Sequence, residues 1–148
     1  MTLLRTGNNN EDFRSLVVLL DAHLAVTDEE EHDFYHQYNG LEEIKYVVMA
    51  YDKEAPVACG ALKHFEDGTM EVKRMFTKAD ARGRGIAVSV LDELEAWADE
   101  LGYTRCVLET GVRQPYAIHL YEKQGYLVIP NYGQYAKMEN SVCMEKAL

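Results

Sequence analysis

The stretch Ala81-Arg82-Gly83-Arg84-Gly85-Ile86-Ala87 constrains the fold of this chain more than any other. It follows a strand-like run, Thr69–Thr77, and precedes a helical pattern in which Val90, Leu91, Leu94, Ala98 and Leu101 share one face. Gly102 then supplies a stop. A strand that turns through glycines into such a helix implies a sheet with helices packed on its faces. The glycines also let a bulky ligand approach the main chain without meeting a Cβ. The first N–H groups of the helix have no intrahelical partner and lie at the positive end of its dipole, so the turn is suited to a phosphate. It is not a P-loop, because no Gly-Lys-Ser/Thr follows. It also departs from the dinucleotide fingerprint, with Val88 standing where a third glycine would be. On this motif alone the owner of the phosphate stays open.

The remaining elements follow from periodicity. Leu3 and Leu4 open a short strand, and Phe13, Leu16, Val17, Leu20 and Leu24 mark an amphipathic helix. Thr27 with Glu30 forms a capping-box pattern, predicting a second helix from near Asp28 to Gly40. Ile44–Tyr51, Val57–Phe65 and Thr69–Thr77 read as consecutive antiparallel strands joined by Asp52-Lys53 and Glu66-Asp67-Gly68. After the long helix come a strand at Cys106–Leu108, a helix over Pro115–Gln124, and two strands, Tyr126–Ile129 and Val142–Lys146. The order β-α-α-β-β-β-α-β-α-β-β predicts a mixed α/β fold over residues 1–148 as one domain. Its central sheet is mixed and mostly antiparallel, with about seven strands and about four flanking helices.

Charge sharpens the picture. The 148 residues carry a net charge of −10, which disfavours extended nucleic acid and anionic lipid as partners. No apolar run reaches the roughly 20 residues of a membrane span, and Met1–Asn10 lacks the apolar stretch of a signal peptide. Residues 1–50 carry ten acids and three bases. In contrast, Lys73–Arg84 holds Lys73, Arg74, Lys78, Arg82 and Arg84 against Asp80 alone. That island is either an anion site or a solvated basic surface. Cys59, Cys106 and Cys143, odd in number and in apolar surroundings, read as reduced core residues of a cytoplasmic protein.

Two motifs carry a resemblance. Arg82-Gly83-Arg84-Gly85-Ile86-Ala87 resembles the Arg/Gln-x-x-Gly-x-Gly/Ala signature of the GNAT superfamily of acyl-CoA-dependent N-acetyltransferases. Ala117-Ile118-His119-Leu120-Tyr121-Glu122-Lys123-Gln124-Gly125-Tyr126 is similar to that family's Ala-x-x-Leu-Tyr-x-x-x-Gly-Phe/Tyr stretch. They occur in the family's order, each on the expected element.

The resemblance implies transfer of the acetyl group of acetyl-CoA to an amine of a small molecule or peptide, in a ternary complex and without a metal. An inactive acyl-CoA-binding sensor on the same fold is the alternative. By resemblance, the amides of Arg82–Ala87 hold the coenzyme pyrophosphate. Met75, Phe76 and Thr77 fall on a bulged strand whose free backbone meets the pantetheine and the acyl carbonyl, beside a splay from the Cys106–Glu109 strand. Gln114 stands where the family often has a coenzyme-contacting Asn. Tyr121 matches the tyrosine that protonates the departing thiolate; packing is the competing reading. Glu71 matches a base found in some members, with an ion pair to Lys73 as the competing reading and Glu109 or a water path as second choices. On an unbroken strand, Glu71, Lys73 and Met75 would share a face. A homodimer is a family-level expectation.

Other features weigh less. His32 and His36 at i,i+4 lack a third metal ligand and sit in a solvated acidic stretch. By resemblance, these acids border the acceptor site and could attract a cationic amine. A nucleophilic cysteine has no His/Asp arrangement beside it. The loop segment Asn131–Tyr135 suits either a pocket wall or a dimer contact.

Overall fold

A computed structural model of the chain describes residues 1–28, 31–36 and 40–148. Its elements are β1 (Thr2–Thr6), α1 (Glu11–Thr27), α2 (His32–His36), β2 (Tyr46–Asp52), β3 (Ala55–Glu66), β4 (Thr69–Thr77), α3 (Ile86–Glu100), β5 (Arg105–Gly111), α4 (Pro115–Lys123), β6 (Leu127–Ile129) and β7 (Ser141–Ala147). The seven strands form one sheet in the order β1-β2-β3-β4-β5-β7-β6. Neighbours are antiparallel except β4 and β5, whose parallel pairing requires the crossover through α3.

The sheet is apolar on both faces. In β2, Val48 and Ala50 join α3 residues Val90, Leu91, Leu94 and Ala98, while Val47 and Met49 join Phe13, Leu16 and Val17 of α1. This two-sided burial explains why β2 reads as a continuous hydrophobic run. Burying each large α3 side chain contributes about 1.5–3 kcal/mol. Asn10 starts α1 by accepting the Phe13 N–H through its side chain at 2.9 Å.

One expectation is corrected and another is located. Thr27 does not begin a second helix: it is the last residue of α1, its hydroxyl donating to the His23 carbonyl at 3.1 Å. Glu30, the other half of the capping pattern, lies outside the described residues, as does the His32 side chain of the histidine pair. Helix α2 begins at His32, not near Asp28. The second concerns β4, where the bulge that the resemblance implied is present, at Arg74–Met75. Lys73 and Phe76 pair with Ala61 and Cys59 of β3, so Arg74 and Met75 together face Gly60 alone. This bulge inverts the strand's alternation. Glu71 and Lys73 face the α1 side with Ala61, whereas Met75 packs on the α3 side beside Gly60, Val90 and Leu94. Among the described residues, no helix is long and apolar enough to cross a membrane.

Candidate active site

The geometry of β4 creates a cleft. The strand pairs with β5 only at Thr69, Met70 and Glu71, and the two then separate. The bulge falls at Arg74–Met75, where Arg74 adopts a φ of 56°. Beyond Glu71, the β4 edge facing β5 has no ladder partner among the described residues, so backbone groups there are available to a ligand. The gap is walled by Glu71–Met75 of β4, Leu108–Gly111 of β5, Leu20 and Leu24 of α1, and Gln114, Ala117 and Tyr121 from the α4 side.

Of the residues predicted for the site, Glu71, Met75, Gln114 and Tyr121 meet in this cleft. Tyr121 is 7% exposed, and its ring meets Tyr126 edge-on at 5.7 Å. Burial pushes its phenol well above the ordinary tyrosine range, so it stays protonated at neutral pH. Phe76 packs against the α1-side core, and the Thr77 carbonyl accepts from Arg82 Nε at 3.1 Å.

Arg82–Gly85 form an exposed turn at the end of the following loop, outside the enclosed part of the cleft. Gly83 and Gly85 have φ of 79° and 74°, and a Cβ on either would meet nothing within 4 Å. Only glycine takes this conformation without strain, and both leave open space over the start of α3. Helix α3 has no side-chain N-cap and no acid in its first turn. The cradle therefore suits a phosphate-bearing ligand. The basic island, however, is not one surface. Lys73 and Arg74 are buried in the cleft, and the turn keeps Lys78, Arg82 and Arg84. Of these, Arg84 already pairs with Asp52 at 3.0 Å.

The carboxylates divide their work. Glu71 is 3% exposed and accepts a hydrogen bond from the Tyr132 hydroxyl at 2.7 Å. Glu109 has its carboxyl pushed up to about 7, chiefly by burial. A hydrogen bond with Ser141 and the charge of Lys73 pull it down, while Asp28 and Glu71 push it further up. Burial also depresses the Lys73 ammonium, partly offset by Glu71. Tyr35 donates to or accepts from Ser141 at 2.8 Å, and stacks on Tyr135 with centroids 6.2 Å apart.

Sequence reasoning did not single out Tyr35 or Arg113; Asp28 was counted only among the acids bordering the acceptor site, and Lys73 and Arg74 only within the basic island, Lys73 also as an ion-pair partner for Glu71. The Asn131–Tyr135 segment supplies Tyr135 to the cleft wall and Tyr132 to Glu71, which favours the pocket reading of that loop. The cysteines are buried free thiols, with Cys59 and Cys106 pushed up to about 12 and Cys143 to about 11 by burial. Such thiols are poor nucleophiles.

Known proteins share this architecture. The model of the acetyltransferase (GNAT) family matches residues 13–126. An IAA acetyltransferase of Azospirillum brasilense is 42% identical over 93 residues, covering 62% of this chain and 61% of that protein. The chain thus spans about three fifths of that relative's length. The uncharacterized N-acetyltransferase YsnE of Bacillus subtilis is 35% identical over 101 residues, 67% of each. Among solved structures, a protein assigned as an acyl-CoA N-acyltransferase from Klebsiella pneumoniae superposes with a TM-score of 0.83. It is 28% identical, and the match covers 99% of this chain and 97% of that one.

Proposed function

Because the chain belongs to the acetyltransferase (GNAT) family, we propose that it transfers the acetyl group of acetyl-CoA to a primary amine of a small molecule or peptide. The observation that carries this reading is the bulged, splayed strand β4, which opens beside Tyr121 and runs toward the glycine turn before α3. The 1–148 chain would act as one domain, and its buried free thiols suit a reducing compartment such as the cytoplasm.

The parts have separate tasks. Gly83, Gly85 and the first amides of α3 hold the pyrophosphate of the coenzyme, with Arg82 and Arg84 beside them; the Met75–Thr77 backbone and Gln114 hold its arm. Acetyl-CoA supplies a thioester carbonyl there. Alternate N–H groups of a strand point to opposite edges, so part of Met75–Thr77 faces the gap and offers a donor to the oxyanion. Tyr121, kept protonated by burial, donates to the departing thiolate. Glu109 removes the proton from the attacking ammonium. Its carboxyl at about 7 is ionised in mildly basic solution yet basic enough to accept a proton. Glu71, held by Tyr132, shapes the cleft and balances Lys73 instead of acting as base. Direct attack needs no acyl-cysteine, which agrees with the buried thiols.

The test is release of free CoA thiol from acetyl-CoA with a library of primary amines. Amine-dependent release, with acetyl-CoA but not NAD raising the melting temperature, supports the reading. Coenzyme binding without turnover on any amine would replace the enzyme with a sensor.

A further inference from the structure

Arg74 has no part in the transfer just described, yet it is the most unusual residue of β4. It is a non-glycine residue at a φ of 56°, and its side chain is 1% exposed. One nitrogen, Nη2, donates to Asp21 Oδ1 of α1 at 2.6 Å. The other two, Nε and Nη1, are buried without a hydrogen-bond partner. Three N–H groups of a fixed cation are thus unanswered, in a residue that lines the cleft. Leaving buried donors unsatisfied and holding such a backbone conformation both cost stability, so a fold that keeps both has a use for the donors.

A guanidinium with spare donors recognises a carboxylate or a phosphate. The rest of the cleft decides between them. Arg74 shares it with Lys73 and Arg113, and these three cations face Asp28, Glu71 and Glu109. Lys73 and Arg113 have neighbours of their own: the charge of Glu71 acts on Lys73, while Arg113 contacts Glu31 and the Asp28 carbonyl. A doubly charged phosphate would meet three carboxylates, whereas a single carboxylate beside an ammonium adds no net charge. A polyamine or aminoglycoside would instead bring further positive charge against Arg74.

Resting on the acetyltransferase reading, we infer that the acceptor is a zwitterion of amino-acid type, its amine presented to the thioester and its carboxylate held by the free donors of Arg74. Arg74 is then the specificity-determining residue, and Asp21 is the positioning residue that fixes its guanidinium.

The experiment compares acceptors that differ only at the carboxylate: a panel of L-amino acids, their C-terminal amides and the corresponding decarboxylated amines. With the wild-type chain, kcat/KM should favour the free acid by about 10- to 100-fold, mostly through acceptor KM, as expected for a charged hydrogen bond. Arg74→Asn, which tolerates positive φ, should erase that preference while leaving the KM for acetyl-CoA unchanged; Arg74→Lys should keep part of it. Equal turnover of acid, amide and amine by the wild type would overturn the inference while leaving the acetyltransferase reading intact. No turnover on any amine would remove both. The wild-type series decides even where a variant fails to fold. An Arg74→Asn variant that retains the full preference would place the carboxylate elsewhere and overturn the assignment.

Discussion

Replacing Glu109 with glutamine should make the protein more stable and less active, with both effects following pH. The carboxyl sits at about 7 against an ordinary 4.5 because burial penalises its charged form. At about 1.4 kcal/mol per pH unit, that difference corresponds to about 3 kcal/mol, an upper figure because the cleft admits water. In the window between 4.5 and 7 the folded state binds more protons than the unfolded one, so stability falls as pH rises. The penalty is absent below the unfolded value and complete above about 7. Glutamine carries no charge to bury. Glu109→Gln should therefore melt with the wild type at pH 4.5 and up to about 10 °C higher at pH 8, at roughly 2–4 °C per kcal/mol for this size. Over the same range, wild-type kcat/KM should rise along a limb with an apparent pKa near 7, and the variant should lose that limb and about 100-fold in kcat. Differential scanning calorimetry and CoA-release kinetics at matched pH read the two quantities. A melting difference that stays flat with pH would refute the burial argument, and a surviving limb would move the base to another group.

Other perturbations separate the remaining parts. Tyr121→Phe should lower kcat by about 100-fold with little change in the KM for acetyl-CoA, since it removes only the acid; unchanged kcat would leave Tyr121 a packing residue. Gly85→Val should raise the KM for acetyl-CoA at least tenfold by straining the positive-φ turn and covering the start of α3, while amine KM stays put. Tyr132→Phe takes the 2.7 Å donor from buried Glu71 and should cost about 1–3 kcal/mol in urea denaturation. An aromatic disulfide reagent at pH 8 should label none of Cys59, Cys106 or Cys143 until the protein unfolds, because burial holds all three thiols at about 11–12.

The fold was legible where burial writes a period into the chain. Val90, Leu91, Leu94 and Ala98 declare α3 by spacing, and the strands of the β2–β4 meander were placed to within two residues at each end. Thr27 misled because Ser/Thr followed by Glu is a local pattern, and whether a helix has already claimed the threonine is decided by packing further back. Within the site, the glycine turn was legible because positive φ demands a particular residue. Residues whose role depends on contacts across long sequence distances were not. Tyr132 reaches Glu71 across the sheet, and Asp21 of α1 meets Arg74 of β4. Arg74 in particular was counted by charge alone, which joined it to Arg82 and Arg84. The bulge turns it toward α1, away from the turn those arginines occupy.

That one-residue bulge has a consequence for how the sequence can change over time. The pleat of β4 has the equivalent of a reading frame: before Arg74 the even positions face α3, and after it the odd ones do. Substitutions at single positions leave the frame intact. A one-residue deletion at Arg74 would not, because it would restore strict alternation and force one half of the strand to exchange faces. Either Glu71 and Lys73 would be driven against Leu94, or Met75 would be turned out of the α3 core toward α1. Variation along this strand should therefore proceed by replacement, and length changes should collect in the turns on either side.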